Sequence, residues 1–178
     1  MIKKTIQIGN PIVRNRSIDI PVSAISTKAT QALIKDLVDS MKHNSLIGMA
    51  APQIGKNLNL FVIQLRKTST RKFGSETTEL LVFFNPKLSK LSKQQSVLME
   101  GCGSLASAQI FGPVKRPVSL AVSAYNEHGK KFSLKVSGLM AKCVQHEFDH
   151  LQGIICIDKF TDTKKIMQRD EFKKRAKK

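Results

Sequence analysis

Tryptophan is absent and tyrosine occurs once, so the chain lacks the aromatic interleaving with which base-stacking RNA modules grip single strands. Acidic residues are scarce as well: 13 Asp and Glu stand against 30 Lys and Arg, a formal net charge of +17 in 178 residues. An excess of that size points to an anionic partner such as RNA or a membrane surface, although a lysine-rich composition also serves solubility alone. Cysteine occurs three times, as Cys102, Cys143 and Cys156; an odd count gives no disulfide framework and fits a reducing compartment. No apolar run approaches the ~20 residues of a membrane span, and Met1-Ile2-Lys3-Lys4 leads into polar sequence rather than the apolar core of a signal peptide. Internal repeats and low-complexity tracts are missing too. The expectation is a soluble, cytoplasmic protein with no membrane partner. At 41% hydrophobic residues the chain is long enough for one domain with a real core and too short for two.

What is present centres on Gln145-His146-Glu147-Phe148-Asp149-His150. Two histidines four apart on a helix project from one face, one turn apart, so both imidazoles can reach a single ion, with Glu147 placed to handle a proton there. By chance alone the same five residues can be ordinary buried histidines on an amphipathic helix. The surroundings favour the metal. Ser137 is a candidate N-cap and Gly153 a candidate stop. Between them Leu139, Cys143, His146 and His150 follow one face, and Met140, Val144, Phe148 and Leu151 another. A helix apolar on two faces belongs in a core, where two imidazoles and a carboxylate are costly without a cation as partner. Sites of this kind take three protein ligands and keep another position open for water. Cys143 is about 10 Å along the helix axis from His150, and reads as a packed core thiol. Cys102 is the better third ligand: it lies in Glu100-Gly101-Cys102-Gly103-Ser104, where flanking glycines allow close backbone approach and a cation favours the thiolate.

Along the rest of the chain, residues 6–22 with Asn10-Pro11 and Ile20-Pro21 predict an extended wrap. Ser26 to Lys42 predicts an amphipathic helix capped by Ser26, with Leu33, Ile34, Leu37, Val38 and Met41 inward. Gly48, Ala50 and Ala51 permit close backbone approach, and Gln53 offers an amide that can donate to a developing oxyanion; a plain tight turn accounts for the same residues. Leu58 to Leu65 and Leu80 to Phe84 read as strands, the second closed by Asn85-Pro86, with a flexible hairpin loop over Thr68 to Thr78 between them. Val97 to Met99 is a short strand, and Ser104 to Lys115 a loop rimming the site. Pro117 to Tyr125 and Lys131 to Val136 form a hairpin whose turn leaves His128 in solvent. Ile154 to Phe160 returns to strand, and the remainder is a basic helical tail. The fold class expected is α+β, with mostly antiparallel sheet around a central metal-binding helix. A catalytic domain over residues 1–160 is followed by the tail over 161–178, with eight Lys and Arg against three Asp and Glu.

Three motifs in this order resemble the peptide deformylase family: Leu46-Ile47-Gly48-Met49-Ala50-Ala51-Pro52-Gln53, Glu100 to Ser104, and Gln145 to His150. The likeness runs from Ile8-Gly9-Asn10-Pro11 to the C-terminal region. It implies a hydrolase that removes the formyl group from the N-terminal formyl-methionine of nascent peptides and releases formate. Cys102, His146 and His150 would hold one divalent metal, Fe²⁺ by family habit, with Zn²⁺, Ni²⁺ or Co²⁺ as substitutes; ligand softness alone suits zinc equally. Glu147 would carry the proton, and Gln53 with the Gly103 backbone N–H would stabilise the oxyanion. Ile47 and Gly48 would pair with the peptide backbone, and Leu139 and Cys143 would line the methionine pocket. The family's use of a C-terminal helix at the ribosome suggests that the basic tail docks on ribosomal RNA. Two positions depart from the pattern. Leu46 replaces the motif's first glycine, which narrows the groove; Gly103 replaces the leucine after the metal cysteine, which removes bulk and rigidity beside the oxyanion site. A zinc endopeptidase would take a third His or Glu downstream, and His150 is the last histidine. A binding protein that kept the fold and lost turnover would draw only on Leu46 and Gly103.

Overall fold

The computed structural model describes residues 1–68 and 76–175. It contains two sheets that meet at one helix. The first has five strands in the order β1 (Gly48–Ala50), β2 (Leu60–Ile63), β3 (Leu81–Ser89), β6 (Ser119–Tyr125) and β7 (Lys131–Ser137). The second has three, β4 (Gln95–Gly101), β5 (Ile110–Pro117) and β8 (Met167–Gln168). Every named strand pair is antiparallel. After the short α1 (Val22–Ile25), α2 (Lys28–His43) packs on one face of the larger sheet and α3 (Gly138–Leu151) on the other; α4 (Arg169–Arg175) ends the described chain. The α+β class with a central helix is what the sequence predicts.

The two-residue period of β2 and β3 sorts the core. Leu60, Val62, Val82 and Phe84 face Ile34, Leu37 and Met41 of α2. The alternate residues Phe61, Ile63 and Phe83 face Ala141, Val144 and Leu151 of α3. Phe61 and Phe83 stack with ring centroids 4.6 Å apart, so truncating either to alanine would cost about 3–5 kcal/mol. A third cluster of Val13, Leu105, Val114, Ile155, Cys102 and Cys156 lies under the smaller sheet. It thereby fixes Cys102 from below.

Several local expectations shift, each for a visible reason. The N-cap of α2 is Thr27, whose hydroxyl accepts from Thr30 N, and not Ser26. β3 does not stop at Asn85-Pro86. Asn85 takes a left-handed φ of 48° and its side chain bonds both backbone groups of Ile20, so a bulge between Phe84 and Lys87 carries the strand past the proline. Residues 110–115 are strand rather than loop: Gly112 and Pro113 suggest a turn, but Gly112 is small because the Phe160 ring lies where its Cβ would be, 2.5 Å away. The segment 154–160 is a 3₁₀ turn over Cys156–Lys159 in place of a strand, closed by Asp158 accepting from Ile155 N at 2.9 Å. Residues 69–75 of the expected hairpin loop lie outside the described residues. The expected division at residue 160 is crossed by Thr161 N donating to Pro113 O, by β8 pairing with β5, and by Phe172 of α4 stacking on Phe111 at 4.7 Å. Among the described residues of the tail, Arg169–Arg175 is α-helical and Thr163–Lys165 is a 3₁₀ turn.

Candidate active site

Ser137 starts α3, and Gly153, at φ 73°, follows its last turn in the left-handed conformation that a glycine supplies without strain. Gln145 ties the helix to the smaller sheet by donating to Pro117 O at 3.0 Å. This fixes where His146 and His150 point. Their ring centroids are 5.0 Å apart, and His150 Nε2 is 3.1 Å from Cys102 Sγ, brought in at the end of β4. Cys102, His146 and His150 each offer one donor atom, and the three lie within 4.8 Å of one another. Metal–ligand bonds of ~2.0–2.3 Å on a tetrahedral ion would set such donors ~3.3–3.8 Å apart, so the cluster fits one cation. Cys143 is outside it.

The chemistry of the donors agrees. Hydrogen bonding to Cys156 and burial hold the Cys102 thiol well above its usual range, while burial and the neighbouring His146 keep His150 well below its own. A cation among them favours a thiolate and a neutral imidazole instead. His150 Nδ1 is buried without a hydrogen-bond partner. His146 is oriented from behind: its Nδ1 donates to Glu100 Oε2 at 2.9 Å, leaving Nε2 to face the cluster. Burial alone would lower His146, but the Glu100 hydrogen bond and charge outweigh it and raise it to about 9. Glu100 is itself gripped by Arg116, Nε to Oε1 at 2.6 Å and Nη2 to Oε2 at 3.0 Å. Arg116 Nη1 in turn donates to Asp149 Oδ2 at 2.8 Å. Despite burial, His146 and Arg116 keep Glu100 well below the usual carboxylate range.

Glu147 is in a different environment. It is 5% exposed, its Oε2 is buried with no partner, and burial pushes its carboxyl up to about 7. Gly48 explains how it fits: a Cβ there would lie 2.5 Å from Glu147 Oε1. Gln53 is held by its carbonyl, since Ala50 N donates to Oε1 at 2.9 Å, which turns Nε2 towards Cys102 Sγ at 3.6 Å and Ser104 Oγ at 3.4 Å. The N-terminal segment links these pieces, with Ile6 N on Gln53 O and Ile8 N on Ser104 O, both at 2.8 Å.

Gln53, Glu100, Cys102, His146 and Glu147 open into one cleft of about 430 Å³, and Ile47, Gly48, Gly103, Leu139 and Cys143 line it as well. β1 is an edge strand, paired only with β2 among the described residues, so its outer edge is open to another strand. Leu46 and Gly103 prove to be neighbours: a Cβ on Gly103 would lie 2.9 Å from Leu46 Cδ1. The leucine fills space that a side chain at 103 would claim, and the two departures from the motif pattern offset each other. Sequence reasoning missed Arg116 and Asp149, whose buried charge needs tertiary partners to be understood, and the contribution of α4. Arg169, Phe172 and Lys173 form part of the cleft wall; the lone aromatic of a basic tail was the signal for it.

Comparison with known proteins agrees with this geometry. The family described as polypeptide deformylase matches residues 2–166. The peptide deformylase of Bartonella henselae is 36% identical over 170 residues, covering 96% of this chain and 90% of its own. That of Leptospira biflexa is 33% identical over 163 residues, covering 92% and 90%. A peptide deformylase of Synechococcus elongatus in complex with actinonin superposes with a TM-score of 0.79 at 29% identity, over 94% of this chain and 81% of that one. The fold is also similar to that of the Acinetobacter baumannii class I type b enzyme bound to Met-Ala-Ser, with a TM-score of 0.85 at 21% identity, over 90% and 99%.

Proposed function

The chain belongs to the peptide deformylase family, and from that premise we infer how its residues divide the work. The protein is a metal-dependent hydrolase that removes the N-formyl group from formyl-methionine at the start of newly made proteins. The observation that carries the division of roles is a Glu147 carboxylate, its Oε2 buried without a partner, in the same cleft as Cys102 and His146, which cluster with His150 as donors.

We assign Cys102, His146 and His150 to the metal, Fe²⁺ in cells. When bound, the ion polarises the formyl carbonyl and makes water a nucleophile near neutral pH. Glu147, held near neutrality by burial, takes the proton from the attacking water and returns it to the departing amine. Gln53 Nε2, pinned by its own carbonyl to Ala50 N, donates with the Gly103 backbone N–H to the oxygen that gains charge. Ile47 and Gly48, on the open edge of the sheet, pair with the peptide main chain, while Leu139 and Cys143 receive the methionine side chain. Glu100, through Arg116 and Asp149, positions His146. Action on newly made chains puts the enzyme in the cytoplasm. The exposed Lys174 and Arg175, with Lys177 and Lys178 following in sequence, dock it on ribosomal RNA.

Formate release from formyl-Met-Ala-Ser by anaerobically purified, metal-replete protein tests the reading. Steady turnover that vanishes in Glu147→Gln supports it. No formate from fully loaded protein would refute it.

A further inference from the structure

The docking of the C-terminal segment has a consequence for substrate choice. Phe111 covers Gly101, next to Cys102, so closely that a Cβ on the glycine would lie 2.7 Å from the ring. Phe172 stacks on the other side of the same ring, 4.7 Å away and tilted by only 11°. Arg169 N donates to Gln109 O at 2.8 Å. These contacts bring Arg169 and Lys173 into the wall of the cleft that holds the metal donors.

The charges lining that cleft are unequally satisfied. Glu100 accepts from Arg116 and His146, and Lys142 donates to Met99 O at 2.9 Å. Lys173 lies 3.6 Å from the exposed Asp170. Arg169 pairs with no carboxylate among the described residues, and its Nε is buried without an acceptor. A guanidinium fixed at its backbone and lacking an acceptor is prepared for a planar anion, and loses little freedom on meeting one. An extended peptide leaving β1 advances ~3.3 Å per residue, so the second and third residues cross a cleft of this size.

We propose that Arg169, with Lys173 beside it, forms an outer subsite that selects peptides carrying a carboxylate side chain downstream of the formylated methionine. This rests on the deformylase reading and adds a specificity to it. The C-terminal segment is then part of the substrate site as well as a carrier of surface charge.

The test compares formyl-Met-Ala-Glu, formyl-Met-Ala-Gln and formyl-Met-Ala-Lys, all C-terminally amidated, by kcat/KM of the metal-replete enzyme at low and moderate salt. The corresponding deformylated peptides are titrated calorimetrically in parallel. The Glu peptide should exceed the Gln peptide by about fivefold, the scale of one partly buried ion pair, through KM and with erosion by salt, and the Lys peptide should rank last. Arg169→Lys should keep the order. Arg169→Glu combined with Lys173→Glu should invert it, which loss of a merely structural contact would not do. Equal kcat/KM for the three peptides, or an uninverted order in the double variant, overturns the proposal. Should no peptide yield formate, the deformylase reading fails instead, and the calorimetric order alone decides the subsite.

Discussion

The helices α3 and α4 both carry charge into the same cleft, but they hold it in opposite ways. On α3 and the strands against it, buried Arg116, Glu100 and Asp149 and half-buried His146 form one hydrogen-bonded chain. On α4 the charges are partly or fully exposed, the pairs Lys174 with Glu171 and Lys173 with Asp170 are three residues apart on the surface, and an aromatic stack and the bond from Arg169 N to Gln109 O anchor the helix. Buried ion pairs cost desolvation and gain only with full partnering, whereas surface pairs contribute at most about 1 kcal/mol. The first region can therefore fix atoms to the tolerance that chemistry needs. The second can adjust affinity without disturbing catalysis.

That contrast is broken most severely at the ligands. Cys102→Ala and His146→Ala should abolish stoichiometric metal binding, while Cys143→Ala should leave it largely intact; metal analysis of the purified variants decides this. Next, Glu147→Ala should keep the metal and lose at least about 10²-fold in kcat. Gly48→Ala should do likewise, because the new Cβ displaces the Glu147 carboxylate. Both are read from single-turnover formate release at matched metal content. Arg116→Met should cost about 3–5 kcal/mol by taking the shared guanidinium from buried Glu100 and Asp149, which keep only His146 and Lys159 as charged partners, seen as a Tm lower by roughly 6–20 °C.

Smaller effects sharpen the comparison. Gly103→Leu alone should be destabilised by collision with Leu46, and adding Leu46→Gly should restore most of the loss. A coupling of about 1–2 kcal/mol in this cycle is expected for side chains in contact, and strict additivity would show that the two positions are independent. Reversing charge at Lys174, Arg175, Lys177 and Lys178, but not at Lys173, should lower ribosome co-sedimentation at low salt while hydrolysis of a short formyl-Met peptide persists. Equal co-sedimentation of variant and wild type would exclude docking through this segment.

The legibility of these regions in the sequence follows the same division. His146, Glu147 and His150 are close in sequence and obey helix geometry, so spacing alone brings them to one face. Cys102 required only that its glycine-flanked strand end reach that face. Gly112-Pro113 and Asn85-Pro86 misled because they carry turn chemistry, yet here they serve a close ring contact and a bulge. Arg116 looked like any basic residue on a strand until Glu100 and Asp149 closed around it. In the tail, composition registers charge and one aromatic, Phe172, but where that ring docks depends on Phe111, 61 positions earlier.

One metal ion among Cys102, His146 and His150 is proposed as what makes this cleft a deformylase. The most direct test strips the protein of metal and titrates Fe²⁺ back anaerobically, following formate release from formyl-Met-Ala-Ser. No release is expected at zero metal, followed by a linear rise that breaks sharply at one equivalent. Undiminished release from the stripped protein, or a rise that continues well beyond one equivalent, would contradict it.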